Sequence, residues 1–128
     1  MIVLDASLLI AYLDGSDSHH DSAEALLVDA VNDDLGVNPL TLAEVLVAPT
    51  RTGRMDAVLD VLRDLDVESL PFTVDSAVRL AELRVRTDLR MPDCCVLLAA
   101  QDAAASVASF DARLAQAAES LNLRVLTS

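Results

Sequence analysis

The sequence predicts an α/β protein, a three-layer α/β/α arrangement around a mostly parallel five-stranded sheet, and three observations lead there. Five short apolar runs, the first being Ile2-Val3-Leu4, alternate with segments of helical periodicity. Helical crossovers between strands are right-handed and leave the strands parallel, with helices on both faces. No linker, internal repeat or low-complexity tract interrupts this alternation, so residues 1–128 are read as one domain.

Each element has its own warrant. Ile2 to Leu4 is a continuous apolar run of the kind that forms a buried parallel strand. Ser7 to Leu13 is a short apolar helix closed by Gly15. Ser18 caps a second helix whose apolar face is Ala23, Leu26, Leu27, Ala30 and Val31. Leu35 to Val37 is a weak second strand. Thr41 to about Ala48 is a third helix, ended or kinked near Pro49, and Arg54 to Leu65 a fourth, with Met55, Val58, Leu59, Leu62 and Leu65 inward. The short connection between them makes a helical hairpin.

Val67 to Leu70 is a third strand that stops at Pro71. Thr73 caps a fifth helix reaching about Arg86, on which Val74, Ala77, Val78, Ala81 and Val85 form one apolar stripe. Pro92 suits a first helical turn, and Asp93 to Ala104 is apolar almost all round, which marks a buried central helix. Ser106 to Ser109 is the fourth strand, Ala112 to Leu121 a helix and Arg124 to Leu126 the last strand.

Composition excludes several classes. The 128 residues are 53% hydrophobic, too apolar for a disordered chain. Nine basic residues, all arginine, face 21 acidic ones for a net charge of −12, and the aromatics are only Tyr12, Phe72 and Phe110. Binding nucleic acid through a broad basic face or through base-stacking aromatics is therefore disfavoured. The three glycines are too dispersed for a dinucleotide fingerprint or a phosphate loop. No apolar run reaches the ~18 residues of a membrane span, and the first residues lack a signal peptide's positive region, so a cytoplasmic location is expected. Adjacent Cys94 and Cys95 suit neither a disulfide framework nor a zinc knuckle and read as small buried side chains.

Four acids fall at helix entrances, and the predicted topology sends them all to one sheet edge: Asp5, Glu44, Asp93 and Asp111. Three have ordinary duties available. Thr41-Leu42-Ala43-Glu44 is a capping-box pattern, Asp93 suits a helix dipole and Asp111 an N-cap. Asp5, at a strand end, has no capping duty that Ser7 does not already supply. Four converging carboxylates with no lysine in the chain call for a cation, and a hard divalent ion such as Mg2+ meets that need. One or two such ions suit phosphodiester hydrolysis. Phosphoaspartate phosphatases and response-regulator receivers share this architecture but depend on a lysine, which this chain lacks.

These residues resemble those of the PIN domain, specifically the VapC toxins of bacterial toxin–antitoxin modules. Met1 to Leu13 is similar to the family's opening strand and helix, Thr41-Leu-Ala-Glu-Val-Leu46 to its acidic helix, Leu89 to Ala100 to the segment of its third acid, and Ser109-Phe-Asp-Ala-Arg-Leu114 to that of its fourth. The resemblance implies a PIN-like fold and endoribonuclease activity dependent on Mg2+ or Mn2+, with tRNA or rRNA among the substrates. It implies that Asp5, Asp93 and Asp111 bind metal, that Glu44 orients the attacking water or acts as base, and that Ser7 and Ser109 support the site. It also implies a VapB-like antitoxin partner, held by the apolar hairpin of the third and fourth helices, and a homodimer. Where some members carry a further acid two residues after the fourth, this chain has Arg113.

Two features stand outside that pattern. Adjacent His19 and His20 point about 100° apart on a helix and read as solvated. Arg84, Arg86 and Arg90 form the one arginine-rich stretch, suited equally to RNA phosphates and to a solvated helix end. A noncatalytic module whose acidic pocket holds a partner's arginine is the competing reading, separable by metal titration.

Overall fold

The computed structural model describes residues 1–127. In chain order its elements are β1 (Ile2–Leu4), α1 (Ala6–Leu13), α2 (His20–Asp29), β2 (Leu35–Val37), α3 (Pro39–Arg51), α4 (Met55–Asp64), β3 (Val67–Ser69), α5 (Ser76–Thr87), α6 (Met91–Ala103), β4 (Ser106–Ala108), α7 (Ala112–Ser120) and β5 (Val125–Leu126). The five strands form one sheet, ordered β3-β2-β1-β4-β5, in which every pairing is parallel.

Both faces are covered, and the two-residue period of β1 divides its side chains between them. Ile2 and Leu4 join Leu8, Leu9, Leu26, Leu27, Val45, Val58 and Leu62, beneath α1 to α4. Val3 and Val107 join Leu83, Val96, Leu97, Leu98 and Leu114, beneath α5 to α7. A strand buried on both sides has no polar face, hence its unbroken apolar sequence. The chain builds outward from β1 through β2 and β3, then crosses to β4 and β5 on the other side. The β1–β4 junction is thus the point where strand order reverses, and in such sheets ligands bind beyond the carboxyl ends there.

Three helices differ from their sequence reading. Asn38, rather than Thr41, caps α3, with Pro39 in its first turn, so the helix starts earlier and the capping box does not form. The helix runs through Pro49 to Arg51; inward packing of Thr41 and Val45 outweighs the backbone bond that proline cannot make. Helix α2 begins after His19 rather than at a Ser18 cap, and Val31 lies exposed beyond its end.

The largest departure is α5. Val78 and Val85 are 64% and 86% exposed, and Val74 is fully so, whereas Leu83 is the buried residue and Leu80 packs with it. Periodicity finds an apolar face but does not say which face the neighbour needs. Here α6 decides: Leu83 and Leu80 of α5 pack into the apolar layer that α6 builds, and Arg79 of α5 pairs with Asp102 of α6 and donates to Gln101 at its rim. Met55, expected inward, is likewise part-exposed at the start of α4.

Gly36 on β2 leaves room for the side-chain ends of Leu70 and Met1, which would have to shift for any larger residue. A Cβ there would lie 2.6 Å from Leu70 Cδ1 and 3.1 Å from Met1 Sδ. No described helix is long and apolar enough to cross a membrane.

Candidate active site

Register places the first two residues of the site. Leu4 pairs with Ala108, so one step further along the parallel strands sets Asp5 beside Ser109. Asp5 is 7% exposed, and its Oδ2 accepts hydrogen bonds from Ser7 Oγ and Ser109 Oγ, each at 2.8 Å. Each serine is itself held from behind: Phe110 N–H donates to Ser7 Oγ at 3.2 Å, and Asp111 N–H to Ser109 Oγ at 3.0 Å. Both hydroxyl protons are thereby aimed at a single carboxylate oxygen. Oδ2 is occupied, and Oδ1 is left without a hydrogen bond among the described residues.

The other acids approach from three helices. Asp93, half-buried, lies in the first turn of α6, where Pro92 helps start the helix and Asp93 N–H donates to the Arg90 carbonyl. Its pKa is raised, first by burial and then by repulsion from Asp5 and Asp111, with Arg90 and Arg113 opposing. Glu44, on the second turn of α3, is raised by partial desolvation and by Asp5 and Asp93, again against Arg90. Asp5, Glu44, Asp93 and Asp111 therefore share one electrostatic neighbourhood.

Asp111 caps α7: its Oδ1 accepts from the N–H groups of Arg113 at 2.9 Å and Leu114 at 3.3 Å. Its Oδ2 makes no hydrogen bond among the described residues, so the cap engages only half the carboxylate. Glu44 has no capping duty at all, because Asn38 performs it. Asn38 is buried; its Oδ1 accepts Thr41 N–H and its Nδ2 donates to Thr41 Oγ1, both at 2.9 Å. Sequence reasoning passed over Asn38 and gave its capping duty to Thr41, although Asn-Pro after a strand is a turn and cap signal.

No three of the four acids present oxygens that all lie within 4.8 Å of one another; among the described residues only His20, Asp21 and Glu24 on α2 do so. The quartet is therefore not a closed carboxylate cage. It fits a hard cation that keeps several waters, as Mg2+ does, with the free Oδ1 of Asp5 and the mutually destabilised Asp93 and Glu44 as its charge-seeking groups. His20, read as solvated, is half-buried and tied through Nδ1 to the Ala11 carbonyl at 2.9 Å. His19 stacks on Phe110 with ring centroids 4.9 Å apart.

Cys94 and Cys95 are free and buried on α6, as the sequence suggests. Burial pushes the Cys95 thiol up to about 11, and Cys94 also rises, so neither offers a thiolate at neutral pH.

A doubly covered parallel sheet with carboxylates gathered at its strand-order reversal defines an acidic-site α/β domain. The chain belongs to the PIN domain family, whose model matches residues 2–120. Solved structures agree at the level of fold. A toxin–antitoxin complex from Klebsiella pneumoniae is 19% identical with a TM-score of 0.80, covering 99% of this chain and 97% of that one. The VapC20 toxin of Mycobacterium tuberculosis, described as cleaving the sarcin-ricin loop, is 18% identical with a TM-score of 0.78, covering 91% and 95%. FitAcB from Neisseria gonorrhoeae is 18% identical with a TM-score of 0.74, covering 99% and 97%. No curated protein sequence matches closely enough to count as a relative.

Proposed function

We propose that this chain is a VapC-type toxin, a cytoplasmic Mg2+-dependent endoribonuclease held in check by a VapB-like antitoxin. The observation that carries the reading is the clamp on Asp5, in which two serines, one in α1 and one after β4, fix one carboxylate oxygen and leave the other free. PIN nucleases generally use a divalent metal, and the solved VapC-like structures include complexes with antitoxins.

Asp5 through Oδ1 and Asp93 would hold the ion, with Asp111 contributing its free Oδ2 directly or through water. Bound there, Mg2+ (or Mn2+) supplies positive charge for the scissile phosphate and lowers the pKa of a water. Glu44, with no cap to serve and a raised pKa, is suited to take the proton of the attacking water. Ser7 and Ser109 hold Asp5 in orientation, as outer partners of a metal ligand do. The exposed Val78 and Val85 lie seven residues apart on one face of α5 and support a homodimer through that helix.

Incubation of the purified chain with total RNA and Mg2+ tests this reading. Cleavage that EDTA abolishes and that Asp5→Asn or Asp93→Asn removes is expected. Metal-independent cleavage, or activity unchanged by both substitutions, overturns the site. Partner capture through the acidic pocket with no cleavage would instead favour a binding module.

A further inference from the structure

The nine arginines of this strongly acidic chain are not evenly employed. Arg63 pairs with Asp60, Arg79 with Asp102 and Arg84 with Asp88. Among the described residues, the other six, Arg51, Arg54, Arg86, Arg90, Arg113 and Arg124, have no carboxylate partner in an ion pair, and of these Arg86, Arg90 and Arg113 flank the segment that carries Asp93 and Asp111. Arg90 and Arg113 both lower the pKa of Asp93, which sets them at the acidic site.

Arg86 and Arg113 also share a surface hollow of about 370 Å³ between the end of α5 and α7, completed by Thr87, Leu89, Gln116 and Ser120. Arg113 Nη2 donates to the backbone carbonyl of Asp88 at 3.5 Å, a neutral acceptor, while the Asp88 carboxylate is engaged by Arg84. The guanidinium is thereby positioned without being neutralised, and most of its five donors stay free. Two guanidiniums without an ion-pair partner beside the Gln116 amide are the chemistry that receives a phosphodiester, whereas the Thr87 and Ser120 hydroxyls already donate to the Leu83 and Ala117 carbonyls.

Resting on the ribonuclease reading, we propose that the Arg86–Arg113 hollow is a phosphate subsite that seats the RNA backbone next to the bond being cut. Position supports this: Arg113 lies in the first turn of α7, two residues after its cap Asp111, and so joins the acidic site to the hollow. Such a subsite gives an acidic protein a local handle on RNA without a broad basic face. It also assigns Arg113 a role in substrate binding, at a place where no metal ligand is available.

The test is steady-state cleavage of random-sequence single-stranded oligoribonucleotides by the full chain, at fixed excess Mg2+ over a series of KCl concentrations. Arg86→Ala and Arg113→Ala are each expected to raise KM about tenfold with kcat little changed. Each should flatten the plot of log kcat/KM against log salt by about 0.7, the contribution of one single-strand phosphate contact. Arg113→Lys keeps the charge and should keep the slope. Arg63→Ala, paired on α4, should change neither. Wild-type salt slopes retained in both alanine variants would overturn the subsite, as would a fall in kcat at constant KM. Failure of the wild type to cleave RNA overturns the ribonuclease reading itself, and appears before any arginine variant is made.

Discussion

Ser109 Oγ lies 2.8 Å from Asp5 Oδ2, a contact that spans 104 positions of sequence and joins the ends of two neighbouring strands. With Ser7 on the same oxygen, it turns a strand-end aspartate into an oriented carboxylate with one free lobe.

The clamp makes the serines testable. Ser109→Ala is expected to lower metal affinity and RNA cleavage about 10- to 100-fold, the usual effect of removing an outer partner of a metal ligand. Ser7→Ala should behave similarly. Isothermal titration with Mn2+ alongside cleavage assays checks both, and unchanged metal affinity would sink the orienting role.

Asp93 and Glu44 imply a definite pH dependence of stability. Their folded-state pKa values lie above the ordinary carboxylate values, so between the two the folded protein binds more protons than the unfolded chain. Metal-free stability attributable to these groups therefore falls as pH rises through that interval, and the penalty is complete above the folded-state values. Asp93→Asn should raise the urea midpoint of the metal-free protein at neutral pH and lose that advantage below a pH of about 4. A midpoint unaffected at neutral pH would contradict the repulsion.

Asn38→Ala removes the α3 cap and strands the buried Thr41 hydroxyl, for a loss of about 2–3 kcal/mol. Urea denaturation measures it. Since α3 carries Glu44, cleavage should fall as well, and a loss under about 0.5 kcal/mol would mean that another group caps the helix.

If α5 carries the proposed homodimer, Val78→Asp or Val85→Asp should give a monomer in sedimentation and remove the concentration dependence of the melting temperature, while the monomer fold survives because neither side chain is buried within the chain. A wild-type monomer would refute dimerisation through α5.

Adding EDTA should abolish cleavage and leave the fold in place, since both hydrophobic layers are built without the acidic site. Circular dichroism beside the cleavage assay separates these effects, and EDTA-resistant cleavage would refute a metal-dependent mechanism.

Much of this molecule was legible from local order. Alternating strand and helix signals specify a parallel α/β sheet because covered strands need apolar runs and crossovers have a fixed hand. Helix α6 announced its burial by being apolar nearly all round, and Asp5, Glu44, Asp93 and Asp111, which the fold brings into one neighbourhood, were singled out by asking which acids follow strands or open helices. Tertiary structure decided the rest. The rotation of α5 depends on Leu80 and Leu83 meeting the layer that α6 builds, the transfer of the cap from Thr41 to Asn38 frees Glu44, and the free guanidinium of Arg113 depends on which acid Arg84 engages. Periodicity records that a face is apolar and capping motifs record that a partner is available. Which face is buried and which partner is used depends on what the rest of the chain places beside them.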